Sequence, residues 1–164
     1  MLLKLDVPGI DLNDMAVALN EVRIYKNSGS LITIHVKVND EFLSAYWADG
    51  LLLSTPTGST AYNLSVGGPI VVPESNTFVL SPIAPHNLTV RPLVLPDSAI
   101  LQLSVDTRDQ QYQLAIDSRT IDLDVDAIVT IRKADYALKM IRIENISFYS
   151  TLRNKLMWGA DRRN

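Results

Sequence analysis

The sequence predicts an all-β fold, mainly an antiparallel β-sandwich with one or two short helices. Three observations favour it: apolar and polar residues alternate over short segments, turn residues separate those segments, and helical periodicity is scarce. The chain has 164 residues, of which 47% are hydrophobic and 20% are charged, and this is enough to bury one core. We therefore expect a single domain over residues 1–164.

The first predicted hairpin shows the alternation most clearly. Leu31 to Val38 places isoleucine and valine on one side and threonine, histidine and lysine on the other, so His35 is expected to face solvent. Asn39 and Asp40 form the turn, and Phe42 to Ala48 follows as the second strand. The pattern predicts that these two strands pair.

Two further pairs of strands are predicted later in the chain. Ser98 to Asp106 alternates in the same way, and polar residues from Thr107 to Gln110 lead into a return strand from Tyr112 to Ile116. Ile128 to Lys133 and Tyr136 to Ile143 predict another hairpin. Short strands with frequent turns are typical of a sandwich.

Helical patterns occupy only two segments. Thr60 to Val66 predicts a short helix after a polar loop. Tyr149 to Trp158, within a C-terminal tail at 148–158, predicts a second helix because Leu152 and Leu156 fall on one stripe. We expect this apolar stripe to pack against another domain or a neighbouring chain.

Composition excludes several classes of function. A net charge of −3 argues against a general nucleic-acid-binding surface, which would be basic. No apolar run approaches the roughly 18 residues of a membrane span. With no cysteine, and with only His35 and His86 as histidines, a thiol site or a zinc site is not expected, and we predict no metal ligand in this chain.

A cluster of hydroxyl side chains follows the apolar segment Leu51 to Leu53. Five serines and threonines lie within Ser54 to Thr60, where Pro56 and Gly58 favour a turn that gathers them. A helix beginning after this loop would add its free N–H groups, and the resulting polar pocket suits a nucleotide. The alternative is an ordinary loop in which one hydroxyl caps the helix.

The flanks of the loop extend the pattern. Asp49 precedes the apolar segment, Tyr62 lies on the first helical turn, and Gly67-Gly68-Pro69 follows the helix. The string from Asp49 to Tyr62 closely resembles the nucleotide-binding loop of the NAD kinase family. Further blocks resemble that family in its own order, namely Ala18 to Val22, Ser81 to Leu88, Arg91 to Val94, Ala115 to Ser118 and Phe148 to Trp158.

The resemblance implies the C-terminal, NAD-binding domain of a bacterial NAD kinase, which is likewise a β-sandwich. The family transfers a phosphoryl group from ATP to the 2′-hydroxyl of the adenosine ribose of NAD, giving NADP, with Mg²⁺ neutralising the phosphates. Its Gly-Gly-Asp-Gly-Thr motif, whose aspartate is taken to activate that hydroxyl, is absent from this sequence. We therefore expect no catalytic residue in this chain, an N-terminal domain upstream, and no kinase activity for the chain alone.

The resemblance assigns Asn20, Glu21 and Asp49 to the nucleotide. Asn20 would bind the edge of adenine, since an amide offers both a donor and an acceptor. Glu21 would lie near the ribose or the phosphates, and Asp49 would reach the nicotinamide end. Without the resemblance, these residues are more typical of a strand-end asparagine, a solvated glutamate and an acid in a turn.

The loop and the helix start supply the remaining candidates. Thr57 and Ser59 would offer hydroxyls, and Thr60, Ala61 and Tyr62 would line an adenine pocket with the Tyr62 ring stacked on the base. Alternatively, Tyr62 caps the core with its hydroxyl in water. At Arg119 the sequence departs from the family, which commonly has glutamine there. The other candidates on family segments are Asn63, Leu64, Ser65, Ala84 and Arg119.

The resemblance also implies partners. These are small nucleotides, the chain's own N-terminal domain, and other copies of the chain in a cytoplasmic homodimer or homotetramer. One rival is a lipid kinase of the diacylglycerol or sphingosine type, against which Asn20-Glu21 and Thr60 to Tyr62 argue, because a lipid headgroup needs no adenine pocket. The other is a non-catalytic nucleotide-binding or assembly module, which the missing catalytic motif favours.

Overall fold

The computed structural model describes residues 1–141 and 147–160. Within these ranges the chain forms two six-stranded sheets with antiparallel pairing throughout, which confirms the predicted all-β class. The strands are β1 (Leu3–Asp6), β2 (Val17–Ala18), β3 (Glu21–Tyr25), β4 (Ile32–Val38), β5 (Glu41–Ala48), β6 (Gly50–Ser54), β7 (Thr77–Ile83), β8 (Leu93–Pro96), β9 (Leu101–Asp106), β10 (Gln111–Ile116), β11 (Arg119–Asp124) and β12 (Val129–Lys133).

The two sheets pack face to face around one core. The first sheet has the order β2-β1-β12-β9-β4-β5 and the second has the order β11-β10-β3-β6-β7-β8. Buried residues of both sheets, such as Ile34 in β4 and Ile24 in β3, belong to a single hydrophobic cluster. Because side chains alternate along a strand, Val22 and Ile24 point into this core and the intervening residues of β3 lie on the outer face of the second sheet.

The hairpin of β4 and β5 is confirmed. Asn39 and Asp40 make its two-residue turn with φ values of 51° and 66°, which is the left-handed conformation that Asn and Asp tolerate best after Gly. His35 lies on the outer face of the first sheet, where its Nε2 contacts Asp106 Oδ2 at 2.8 Å. The side chain of His35 is 37% exposed, so the predicted solvent face is also observed.

Two other expected pairings differ from the structure. β9 and β10 both form, but they lie in different sheets, so residues 107–110 cross the sandwich and do not close a hairpin. The hairpin predicted after β12 is wrong: β12 pairs with β1 and β9, residues 136–141 form no strand, and the end of the predicted Tyr136 to Ile143 strand lies outside the described residues. Alternation shows that a strand faces a core, but it does not show which strand is its neighbour.

The helices are short. The segment predicted as one helix from Thr60 to Val66 is a 3-10 helix at Thr57–Thr60 followed by α1 (Tyr62–Ser65), separated by Ala61, whose φ of −92° and ψ of −132° are not helical. The second helix, α2 (Phe148–Leu156), begins with a capping box of Ser147 and Ser150, and it has no buried residue. Among the described residues, no helix is long and apolar enough to cross a bilayer.

Candidate functional site

The outer face of the second sheet carries most of the predicted site residues. Strand register aligns Ala115, Arg23, Leu52 and Ser81 across four strands of this face. Leu52, Ala115 and Ser81 are fully buried although they point away from the sandwich core. The segment from Ser54 to Gly68 therefore forms a second layer over this face, and the candidate site lies where that layer meets β3.

The loop after β6 is docked on the backbone of Leu19 and Asn20. Thr55 donates its N–H to the Asn20 carbonyl at 2.9 Å and its hydroxyl to the Leu19 carbonyl at 2.7 Å. Its hydroxyl oxygen also accepts the N–H of Gly58 at 3.1 Å. A Cβ at Gly58 would lie 2.0 Å from the Asn20 carbonyl oxygen, so only glycine allows this approach.

Buried polar side chains hold the rest of the layer. Ser59 accepts the N–H of Val71 at 3.0 Å, and its own hydroxyl lies 2.6 Å from the Pro56 carbonyl oxygen. Asn63 donates to the Pro69 carbonyl at 3.1 Å and accepts the Ser81 hydroxyl at 2.7 Å. Because Asn63 is fully buried and both ends of its amide have partners, its side chain belongs to the framework of the loop.

A second set of hydrogen bonds fixes Asn20 and Glu21 from the opposite side. The Asp117 carboxylate accepts the N–H groups of Leu19 and Asn20 at 2.8 Å each and that of Glu21 at 3.1 Å. Asp117 lies in the turn between β10 and β11 with φ 52°, and its own N–H bonds to the Glu21 carbonyl at 3.0 Å. The Ala115 to Ser118 block is visible in the sequence, but no role for Asp117 was predicted from it.

Glu21 is buried with one carboxylate oxygen unpaired. The residue is 6% exposed, and within the described ranges Oε2 has no hydrogen-bond partner. Burial raises the pKa of Glu21 above its ordinary value; the nearby Arg23 guanidinium opposes this effect, and the Asp117 carboxylate adds to it. Because Oε2 has no partner, its lone pairs can accept a hydrogen bond from a ligand hydroxyl that reaches it.

A cleft of about 340 Å³ lies on the same face of the second sheet; Arg23 lines it, whereas Asn20 and Glu21 do not. The Arg23 guanidinium carbon lies 4.8 Å from the centre of the Tyr62 ring and 5.8 Å from that of Tyr25. On the far wall, Lys26 Nζ contacts Asp49 Oδ1 at 2.6 Å. The lining residues are Arg23, Tyr25, Lys26, Ser28, Asp49, Tyr62 and Ile83.

The structure thus brings several predicted residues together. Asp49 and Tyr62 line the cleft, and Gly58, next to Thr57, touches the Asn20 backbone. Within the described part of the chain, the Asn20 amide and the hydroxyls of Thr57 and Tyr62 make no hydrogen bond. These groups are therefore available to a ligand.

Other predicted residues do not line the cleft. Leu64 and Ser65 are exposed on α1, Thr60 bonds weakly to the Thr57 carbonyl at 3.4 Å, and Ala61 is half-buried. Arg119 donates to the carbonyls of Asp14 at 2.7 Å and Val17 at 2.6 Å, so its guanidinium is engaged with the main chain.

Ala84 is exposed directly after Ile83 of the cleft. Its φ is 45°, an unusual value for a residue with a Cβ, and the following Pro85 adds a further restriction. The next residue, His86, donates its N–H to the Trp47 carbonyl at 2.8 Å, which ties the segment to β5. Strained backbone of this kind is often retained at binding sites.

Sequence reasoning missed two charged residues of the cleft, Arg23 and Lys26. The signal for Arg23 was present, because it lies two residues after Glu21 in a strand and must share its face. No comparable signal existed for Lys26, since its contact with Asp49 depends on the pairing of β3 with β6.

Comparisons with known proteins agree on one family. Residues 19–143 match the family model described as the ATP-NAD kinase C-terminal domain. The chain is 49% identical over 152 residues to an NAD kinase of Flavobacterium johnsoniae, covering 92% of this chain and 52% of that protein. It is 51% identical over 144 residues to an NAD kinase of Porphyromonas gingivalis, covering 87% of this chain and 50% of the relative.

Solved structures show the same fold. The crystal structure of yeast NADH kinase complexed with NADH matches 98% of this chain and 50% of that chain, with a TM-score of 0.85 and 27% identity. An NAD kinase from Archaeoglobus fulgidus in complex with ATP matches 82% of this chain and 51% of its own, with a TM-score of 0.70 and 24% identity. The chain spans about half the length of the relatives that it matches.

Proposed function

The chain belongs to the family of ATP-NAD kinase C-terminal domains, and on that premise we propose that it forms the NAD-binding part of an NAD kinase. The observation that carries the proposal is the Asn20-Glu21 edge, whose backbone is fixed on both sides while the Asn20 amide and one Glu21 oxygen have no partner in the described ranges. Because Asn20 and Glu21 are ordered before a ligand arrives, the entropic cost of binding is lower.

The proposed reaction makes NADP from NAD and ATP. The 2′-oxygen of the adenosine ribose attacks the γ-phosphorus of ATP, the bond from that phosphorus to the bridging oxygen breaks, ADP leaves, and the hydroxyl proton passes to a base. This sequence lacks the Gly-Gly-Asp-Gly-Thr motif that would supply the base. The chain's contribution is to bind NAD and orient its ribose, and we expect the chain alone to be inactive as a kinase.

Magnesium is proposed only for the complete enzyme. Among the described residues, no group of three or more histidine, cysteine, aspartate or glutamate side chains could hold a metal ion. No step of the reaction is therefore assigned to a metal on this chain.

We assign the free groups of the site to parts of the dinucleotide. Asn20 binds the edge of adenine, and Glu21 accepts a ribose hydroxyl. Tyr62 packs on the base, since the residue is 37% exposed although Arg23 covers part of its ring. Asp49 serves the nicotinamide end, held by its ion pair with Lys26. Thr57, Thr60, Ala61, Ser65 and Ala84 complete the pocket, with Leu64 at its rim.

The C-terminal helix suggests a protein partner. Tyr149 is 62% exposed and Trp158 is 60% exposed, and α2 buries no residue within the described chain. We propose that the tail at 148–158 packs on the N-terminal domain of the same protein, which acts as a homodimer or homotetramer in the cytoplasm. Neither rival function gains support, since relatives named NAD kinase match about nine-tenths of the chain.

Calorimetric titration with NAD and NADP tests the proposal. Saturable binding by the wild type, weakened at least about tenfold by Tyr62→Ala, supports a dinucleotide pocket at this face. Tyr136→Ala is a matched control, because Tyr136 is 59% exposed and does not line the cleft. ATP serves as the competing nucleotide, and tighter binding of ATP than of NAD would contradict the assignment.

A second experiment tests the catalytic part. The chain is joined to the N-terminal half of the Flavobacterium johnsoniae relative, and NADP formation from NAD and ATP is followed. We expect activity in the fusion and none in the chain alone. Kinase activity of the isolated chain would show that the base lies within this sequence.

A further inference from the structure

We propose that the turn Asp117-Ser118-Arg119 acts as a clamp that holds Asn20 and Glu21 in their ligand-binding geometry. Asp117 and Arg119 are then positioning residues, and neither contacts the nucleotide. The inference rests on the proposed function, because it concerns the same edge of the site. It assigns the β10–β11 turn a role that its position at the end of two strands does not suggest.

The first half of the clamp binds N–H groups. One carboxylate accepts three successive backbone donors, those of Leu19, Asn20 and Glu21, at 2.8 to 3.1 Å. Hydrogen bonds to an ionised acceptor are about twice as strong as neutral ones. Successive N–H groups in an extended strand point in opposite directions, so a shared acceptor requires the backbone to bend at Asn20.

The second half binds carbonyl groups. Arg119 Nη1 donates to the Asp14 carbonyl and Nη2 to the Val17 carbonyl, while Nε lies 3.4 Å from the Ile116 carbonyl of the preceding strand. The planar guanidinium spans two acceptors at once, which an ammonium cannot do with the same geometry. The clamp therefore fixes both ends of the segment from Asp14 to Glu21.

The loop after β6, which contains Thr55 and Gly58, contacts the other side of the same segment. The Asn20 carbonyl accepts the N–H of Thr55, and Gly58 packs directly against it. Asn20 is thus bonded through its N–H to Asp117 and through its carbonyl to the loop. Within the described residues, its side-chain amide has no partner, which is the arrangement expected of a recognition group on a rigid support.

Arg119 is poorly suited to a direct bond with the ligand. Each arm of its guanidinium is already bonded to a backbone carbonyl at 2.7 Å or less. Turning it toward a nucleotide would break both bonds; water can replace Arg119 at the exposed Asp14 carbonyl, but the part-buried Val17 carbonyl would lose its partner, and that loss offsets part of the benefit of a new hydrogen bond to the ligand. A clamp explains the position of Arg119 with no such loss.

The test uses Asp117→Asn and Arg119→Gln, with Ser118→Ala as the matched control. Asparagine tolerates the positive φ of Asp117, so the change removes the second carboxylate oxygen and the charge without straining the turn. Glutamine keeps an amide donor at Arg119 but cannot span two carbonyls. Ser118 is exposed in the same turn and makes no hydrogen bond within the described chain.

Two measurements are made on each variant. Hydrogen exchange reads the protection of the Leu19 and Asn20 amides against that of core amides such as Ile24. Calorimetric titration reads NAD affinity. We expect both variants to speed exchange at Leu19 and Asn20 selectively and to weaken NAD binding at least about tenfold, while Ser118→Ala changes neither.

Three outcomes would overturn the inference. Unchanged exchange at Leu19 and Asn20 would show that the turn does not hold this edge. Faster exchange with unchanged NAD affinity would show that the geometry is not used for binding. Tighter NAD binding by Arg119→Gln would show that a side chain at this position contacts the nucleotide directly. If the wild type binds no NAD, the proposed function fails and this inference falls with it, a result that is distinct from wild-type binding with insensitive variants.

Discussion

The outer faces of the two sheets carry clefts of similar size that are built in different ways. The cleft on the first sheet has a volume of about 280 Å³ and that on the second about 340 Å³. On the first sheet, the lining residues stand on the paired strands β4, β5 and β9, and the pairing of β4 with β5 shifts register after Val36; they include His35, Lys37, Phe42, Gln102 and Ser104. On the second sheet, a folded-over loop and the Asp117 turn converge on β3.

The difference lies in where the polar groups are bonded. The contact of His35 with Asp106 is on the surface, with Asp106 79% exposed, so water competes for both partners. Ser54, Thr55, Ser59, Asn63 and Ser81 on the second face are fully buried and bonded to backbone or to one another. Cleft volume therefore does not distinguish the two faces, whereas the layer of buried polar side chains that leaves a few groups unpaired is found at the second cleft, where we propose the site.

The largest effect should come from the contact that closes this layer. Gly58→Ala places a Cβ 2.0 Å from the Asn20 carbonyl, and neither backbone can yield without breaking the Thr55 bonds. We expect a loss of about 3 kcal/mol or more in the free energy of unfolding. Urea denaturation measures it.

Gly29→Ala is the control for that substitution. No atom lies within 4 Å of a Cβ at Gly29, and its φ is not positive. We expect its stability to change by less than about 0.5 kcal/mol. Similar losses in both variants would mean that the loop is not docked on Asn20.

The next effect concerns the buried amide. Asn63→Ala leaves the fully buried Ser81 hydroxyl without its partner and removes the donor to the part-buried Pro69 carbonyl. We expect a loss of about 2 kcal/mol in unfolding free energy. In Asn63→Ala combined with Ser81→Ala, part of that loss should be recovered, because the unpaired hydroxyl is also removed. Strictly additive losses would argue against the network.

The sequence predicts some strands of the fold and not others. Alternation identifies the strands from Leu31 to Ala48 because each has one face in the core. It does not reveal the short edge strands β2 and β8, which have too few residues for a period to show. The wrong hairpin after β12 has the same origin, since strand pairing across the sandwich is set by tertiary packing.

The site is predicted only in part for a related reason. The hydroxyl-rich loop is contiguous in sequence, so its turn chemistry and resemblance are visible. The hydrogen bond between Asp117 and Asn20 joins residues 97 positions apart, so no local sequence pattern predicts it. Some polar side chains that suggested ligand contacts are structural, because burial of a loop first requires its own backbone to be bonded. Ser59 and Asn63 are the clearest cases.

A smaller effect separates the binding role of Glu21 from its structural role. Its folded-state pKa is raised chiefly by burial, so the charged form disfavours folding at pH values above that pKa. The contribution of Glu21 to the free energy of unfolding is therefore fully present at pH values below its ordinary pKa of 4.5. It declines as the pH rises through the raised pKa of the folded state. We expect Glu21→Gln to raise the unfolding free energy at pH 7 by about 1 kcal/mol or less and to weaken NAD binding.

The measurement for Glu21→Gln is a pair of urea titrations, at pH 7 and at pH 4, with wild type and variant compared at each. The gain should shrink at the lower pH, where the wild-type carboxyl is also neutral. Asp135→Asn is a contrasting control, because hydrogen bonding to Arg132 lowers the pKa of that exposed carboxyl. Its effect should have the opposite sign. A loss of stability in Glu21→Gln at pH 7 would contradict the desolvation argument.

The smallest effect is expected on the first sheet. His35→Leu removes the surface pair with Asp106 but keeps a large side chain in a position already one-third exposed. Exposed ion pairs contribute about 0 to 1 kcal/mol, so we expect a change in unfolding free energy within about 0.5 kcal/mol and no change in NAD binding. Both can be measured by the urea and calorimetric titrations used for the second sheet. A loss of NAD affinity would require the first face to take part in the site, and the contrast between the two clefts would then fail, because a loosely built surface would bind as selectively as the ordered one.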